Sequence, residues 1–285
     1  MPLPSSLAPC NHLKTTSRCS SWKEVVINGA TKDIGKAAIL AVSRARGMEV
    51  AGAVDSQFVG QDAGKICGME EALEIPIIND LTMVLGSISQ LKATGVVVDF
   101  TDPFNVYDNV KQAAAFGLNS VVYVPKIKLE TIAELSVFCE KASMGCLVAS
   151  TLSIGTVLLQ QAAILASFHY NNVEIVESRP DPLELPSQEA VQIANNLSDV
   201  GQFYNREDIK IQNMVSILGD DGVRAHNMVL PGLPSSTTVH FSRPGEVYSL
   251  KHDITDIQCL MPGLILAIRK VVRLKNLIYG LEKFL

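Results

Sequence analysis

Val25-Val26-Ile27-Asn28-Gly29-Ala30-Thr31-Lys32-Asp33-Ile34-Gly35-Lys36-Ala37-Ala38 is an apolar strand that enters a glycine turn and leaves it directly as a helix. That order gathers backbone N–H groups and the positive end of a helix at one point, the arrangement that holds the pyrophosphate of a dinucleotide. Gly29 permits the tight turn, and Gly35 lets the helix approach the strand closely. A plain βα turn without a ligand uses the same local pattern, so the surroundings must decide. The next strand ends at Asp55, where an acidic side chain accepts hydrogen bonds from a ribose. A third apolar strand, Val96–Asp99, runs into Phe100-Thr101-Asp102-Pro103, whose backbone would lie near the middle of such a cofactor. Lys32 and Lys36 could meet a 2′-phosphate, although a lysine at a helix start is more commonly solvated.

Around this unit the chain alternates. Strands are expected at Glu24–Asn28, Glu49–Val54, Gly95–Phe100, Ser120–Val124 and Gly145–Ala149, with helices at Gly35–Arg46, Leu81–Ser89, Val106–Phe116 and Leu129–Ala142. Near-continuous apolar strands between helices require a parallel sheet covered on both faces, a doubly wound α/β domain. After Thr151 the texture changes. Helices at Ser153–Phe168 and up to Leu197 flank a strand at Val173–Glu177, and β-like runs follow at Val215–Leu218, Arg224–Val229, Thr237–Phe241 and Glu246–His252. These predict an α+β domain with an open, mixed, mostly antiparallel sheet. The apolar helical segment from Pro262 to Val272 is expected to return to the first domain. The expected division is a leader over 1–21, a nucleotide domain over 22–150 completed by 257–285, and a substrate and oligomerisation domain over 151–256.

Composition narrows the class of partner. The 285 residues hold 29 acidic and 24 basic side chains, a net charge of −5. A nucleic-acid binder would need a basic face, and none is indicated. The apolar stretch Leu152–Phe168 contains Gln160 and Gln161 and is too short to span a membrane. Six scattered cysteines without a C-x-x-C pair fit reduced thiols better than a disulfide frame or a metal site. The first twenty residues are serine-rich with no acid before Glu24, the composition of an organelle transit peptide.

Gly29-Ala30, Ile34-Gly35, Val98-Asp99-Phe100-Thr101-Asp102-Pro103, Leu152-Ser153-Ile154-Gly155 and Glu174-Ile175-Val176-Glu177 occur in an order that resembles dihydrodipicolinate reductase. Val176–Pro180, Tyr204–Asp208 and Ala267–Leu277 resemble its plant branch. The resemblance implies a two-domain plastid enzyme and homodimer that reduces a cyclic dicarboxylate of lysine synthesis with NADPH or NADH. It implies cofactor contacts from Gly29, Ala30, Thr31, Lys32, Asp33, Ile34, Gly35, Asp55, Phe100, Thr101, Tyr123 and Val124.

One segment departs from the family pattern. Where bacterial members carry a His-His-Arg-His-Lys run followed by Asp-Ala-Pro-Ser-Gly-Thr, this chain has Ser178-Arg179-Pro180 and, after a proline-rich loop, Pro186-Ser187-Gln188-Glu189. Substrate contact is therefore expected from Arg179, Ser187, Gln188, Arg206 and Lys126. The acid–base candidates are Arg179, His252 and Lys251, with His240 behind them. A dicarboxylate would also meet Glu189, which repels it. The first expectation is a working reductase. The alternative is a non-catalytic relative acting in plastid complex assembly, and a third is an unrelated NAD-dependent oxidoreductase.

Overall fold

The structure, a computed structural model, describes residues 23–89, 95–180, 185–205, 216–218 and 222–285. The expected leader and Arg206 lie outside the described residues. The first domain is built from β1 (Lys23–Asn28), α1 (Asp33–Arg44), β2 (Met48–Val54), α2 (Ala63–Ile66), β3 (Ile77–Ile78), α3 (Leu81–Ser89), β4 (Gly95–Asp99), α4 (Val106–Ala115), β5 (Asn119–Val122), α5 (Leu129–Ala142) and β6 (Cys146–Val148). The second comprises α6 (Ile154–Ser167), β7 (Asn172–Arg179), α7 (Gln188–Ser198), β8 (Ser216–Leu218), β9 (Val223–Val229), β10 (Ser235–Arg243) and β11 (Glu246–Ile254). The chain then returns through α8 (Met261–Val271) and β12 (Leu277–Tyr279).

Every ladder of the first sheet is parallel, in the order β12-β6-β5-β4-β1-β2-β3. Chain order reverses between β1 and β4, and ligands of open α/β sheets bind at such a switch point, beyond the carboxyl ends of the strands. All five residues of β4 are buried, which explains the unbroken apolar run that marks it. The elements absent from the sequence reading, α2, β3 and β12, are two to four residues long, too short to show a period.

The second sheet runs β11-β10-β7-β9-β8. Its β7–β9 ladder is parallel and the other three are antiparallel. Because β7 lies between β9 and β10, the Gly232–Thr237 turn is a crossover rather than a hairpin, and it carries Leu233, Pro234 and Ser235 across the end of β7. The helix-covered face of the sheet holds Val173, Ile175, Val239 and Phe241, all fully buried.

α8 packs Leu264, Ala267, Ile268 and Val271 into the same core as α1 and β1, and β12 pairs with β6. A Cβ on Gly263 would stand 1.9 Å from the carbonyl oxygen of Leu152 at the junction of the domains. Gly263→Ala is expected to lift α8 and cost about 1–3 kcal/mol, as over-packing does. Urea unfolding together with hydrogen exchange at β12 measures it, and unchanged values would contradict the packing.

Candidate functional site

The glycine turn is held from both sides. Gly29 N–H and Ala30 N–H donate to the Val54 carbonyl at 2.9 and 3.1 Å, tying β1's end to β2's. Gly29 has φ +85, and a Cβ on Gly35 would stand 2.2 Å from the Gly29 oxygen, so helix and turn touch backbone to backbone. No side chain caps α1, whose N-cap residue is Lys32. Its first-turn amides therefore face the turn, as a phosphate site requires. Ala30 is buried, so only its backbone groups can meet a ligand, and Ile34 is half-buried against the core. Asp33 is exposed and pairs with Lys36 at 3.5 Å.

Asp55 closes the adjacent side. One carboxylate oxygen accepts from Thr31 N–H at 3.0 Å and Thr31 Oγ1 at 2.7 Å, and the other accepts from Gln57 N–H at 3.1 Å. Burial works against its charge, but the donors of Thr31 and Gln57 outweigh it and lower its pKa. The folded value lies below the unfolded one, so this stabilisation is present above about pH 4 and fades as the pH falls through the folded value.

The lysines read as phosphate candidates are placed differently. Lys32 Nζ donates to the carbonyls of Phe100, at 2.6 Å, and of Thr101, so it leans toward β4 and away from Asp55. Lys36 is held by Asp33. A 2′-phosphate at Asp55 would thus meet a fixed carboxylate. NADH is expected to bind about tenfold tighter than NADPH, the scale of one hydrogen bond to a charged group. Calorimetry with Asp55→Asn checks this, and an unchanged NADH-to-NADPH ratio would contradict it.

At the end of β4, Asp99 is buried and accepts from Thr101 N–H at 3.0 Å, Thr101 Oγ1 at 2.7 Å and Asn109 Nδ2 at 2.9 Å. Burial raises its carboxyl pKa against the pull of those donors. The Val98-Asp99-Phe100-Thr101 motif is thereby explained: Asp99 folds the strand end so that the Phe100 and Thr101 carbonyls reach Lys32.

Tyr123 and Val124, at the end of β5, open a cavity of about 660 Å³ between the domains. Val148, Ala149 and Ser150 continue its first wall, and Arg179, Gln188 and Glu189 stand on the second. Burial pushes the Tyr123 phenol up to about 12, with the Glu189 carboxylate adding to it. Lys126 lies on the exposed rim with φ +59.

Arg179 is the centre of this second wall. Nη1 donates to the carbonyls of Ser178 at 3.0 Å and Ser236 at 2.9 Å. Nη2 meets Glu177 at 3.1 Å, Ser187 Oγ at 2.9 Å, Thr237 Oγ1 at 3.2 Å and Glu189 at 3.3 Å. Of five guanidinium N–H groups the four terminal ones are engaged, which leaves Nε–H. Glu177 is fully buried and also accepts from Ser187 N–H at 2.8 Å and from Ser187 Oγ. Ser187 caps α7 as well, through Ala190 N–H. Gln188 is exposed in the first turn of α7.

The acid–base candidates separate. His252 faces the helices, with Nδ1 3.4 Å from Thr156 Oγ1, which lies 3.4 Å from Glu189. Lys251 is placed apart from His252: neighbours on a strand point to opposite faces, so it lies on the face away from α6 and α7, paired with Asp253 at 2.9 Å. His240 shares that outer face, bonded to Ser249. The sequence reading missed the depth of the Glu177–Arg179–Ser187–Glu189 cluster. A charge pair two residues apart on a strand that runs into a helix cap was the available signal.

Among the described residues no group of three or more His, Cys, Asp or Glu is arranged to hold a metal, Cys67, Cys139, Cys146 and Cys259 are free thiols, and no helix is long and apolar enough to cross a membrane.

A doubly wound sheet with an uncapped glycine turn at its switch point, facing a second domain across a cavity, defines a two-domain pyridine-nucleotide oxidoreductase fold. Residues 23–152 match the dihydrodipicolinate reductase N-terminus and residues 155–285 the dihydrodipicolinate reductase C-terminus. The chain belongs to the dihydrodipicolinate reductase family. The dihydrodipicolinate reductase-like protein CRR1, chloroplastic, of Arabidopsis thaliana is 69% identical over 264 residues, covering 92% of this chain and 89% of that protein. The 4-hydroxy-tetrahydrodipicolinate reductase of Nostoc sp. is 43% identical over 270 residues, 92% of this chain and 97% of that one. The dipicolinate-bound dihydrodipicolinate reductase of Paenisporosarcina superposes with a TM-score of 0.78 at 26% identity, covering 93% of this chain and all of the other.

Proposed function

We propose that this chain is a plastid, pyridine-nucleotide-binding member of the reductase family whose dicarboxylate site has become an internal ion cluster, and that it serves complex assembly rather than lysine synthesis. One observation carries the reading: the terminal N–H groups of Arg179, the cation placed to grip a ring carboxylate, are engaged by Glu177, Glu189, Ser187, Thr237 and two carbonyls. Two carboxylates on one guanidinium leave the wall negative, and a dianion brought there is repelled. The high identity to a chloroplast protein named reductase-like agrees with this, as does the acid-poor leader.

The cofactor half is retained in this reading. The amides of the Gly29–Gly35 turn hold the pyrophosphate, Asp55 accepts from the ribose, and the Phe100–Thr101 backbone with Tyr123 and Val124 flanks the nicotinamide end. A bound reduced nucleotide supplies a hydride. The chain's own part is to anchor and orient the nucleotide and to shape the space beside it. A homodimer through the outer face of the second sheet, where Val247 is exposed, belongs to the same reading.

A second reading keeps the reductase activity, favoured by the 660 Å³ cavity that remains beside Tyr123. Oxidation of NADH or NADPH with freshly generated 4-hydroxy-tetrahydrodipicolinate separates the two. Nucleotide binding without turnover is the expected result, and turnover at a rate comparable to a Nostoc-type enzyme would overturn it.

A further inference from the structure

The cavity's charge is divided unevenly. Its first wall contributes apolar side chains, among them Ile127 and Ile132, with Lys126 on the exposed rim. Its second wall carries Glu189 and Asp256, and its cation, Arg179, is spent on Glu177 and Glu189. Two groups that face these carboxylates share their influence. Besides burial, the Glu189 carboxylate makes the Tyr123 phenol harder to ionise, and Asp256 and Glu189 do the same to the Cys259 thiol.

Glu189 is also built in place. It stands in the first turn of α7, where the helix favours a carboxylate, with one oxygen toward Arg179 Nη2 and the other 3.4 Å from Thr156 Oγ1. Neither contact saturates a carboxylate with about four acceptor positions. The remaining positions are available to a donor in the cavity.

We propose that this cavity takes a ligand with a mainly apolar body and a protonated amine, seated with the amine on Glu189. Charge selection at this wall is then the reverse of that for a ring dicarboxylate. The inference rests on the reading of Arg179 given under the proposed function.

The test is calorimetry on the full chain at low salt with two probes of one ring: dipicolinate, and the diamine bis(aminomethyl)pyridine. Heat from the diamine and none from dipicolinate is expected. Glu189→Gln, which preserves an acceptor for Arg179, is expected to weaken the diamine by about tenfold, the scale of a charge-assisted hydrogen bond. Thermal melting of that variant reports whether the fold is kept. If neither probe binds, or the diamine binds Glu189→Gln as well as the parent, this inference fails and the function reading stands. If dipicolinate binds, both fail.

Discussion

Arg179→Met is expected to lower the stability of the chain by about 3–5 kcal/mol, the cost of removing one partner from a buried ion pair. Glu177 has no exposed surface and sits in the cluster with Arg179 as its cation. Without the guanidinium, its carboxylate keeps only the donors of Ser187. Adding Glu177→Gln to Arg179→Met should recover part of the loss, because the uncompensated buried charge is then gone, and a double-mutant cycle in urea reads the coupling. A guanidinium kept for a substrate would behave in the opposite way. Its removal would weaken ligand binding and leave the unfolding midpoint nearly unchanged, and that outcome would contradict the assignment of Arg179 to an internal role.

Gly35→Ala is expected to lower dinucleotide affinity by about a hundredfold, ~2.8 kcal/mol. The added methyl would stand 2.2 Å from the Gly29 oxygen and 2.9 Å from the Ala30 backbone. All of these are main-chain atoms, so no rotamer change relieves the contact and α1 must leave the turn. The phosphate-facing amides move with it. Gly47→Ala, at the other end of the helix, is the control: Gly47 has φ +76 but nothing within 4 Å of a Cβ. It should cost stability through its backbone conformation and leave nucleotide affinity alone. Equal affinities in the two variants would contradict the role given to the turn.

The nucleotide half of the molecule is legible in the sequence because its signals are local. A buried parallel strand must be apolar along its whole length, and the turn needs glycine at fixed positions, so β1, α1, β2 and β4 can be read from short windows. The helices α3 and α5 follow from their period. Of the elements that escape, the strands β3 and β12 have two and three residues and exist only because β2 and β6 offer an edge. Tertiary pairing makes them, and no window of sequence contains that information.

The second wall of the cavity is harder to read for the same reason. Arg179 is expected from the sequence to be a substrate cation, and the structure places it at the end of β7, lining the cavity. What it bonds is decided by Ser236 and Thr237 on β10, more than fifty residues on, and by the cap of α7. Lys251 and His252 look equivalent as neighbouring titratable groups. Register decides between them: Thr237 pairs with His252 and Thr238 with Lys251, which sends one side chain to the helices and the other away. Lys32 likewise reads as a phosphate cation from its position, whereas Asp99 has shaped the β4 end into two carbonyls that occupy its ammonium group.

Titrating dipicolinate into the NADH-saturated protein by calorimetry tests the central claim most directly, that the nucleotide site is kept while the dicarboxylate site is closed by its own ion cluster. The expected result is heat from NADH in the first titration and none from dipicolinate at millimolar concentration in the second. Tight dipicolinate binding on the NADH complex would show that Arg179 can be released to a ligand and would return the chain to the working reductases of its family.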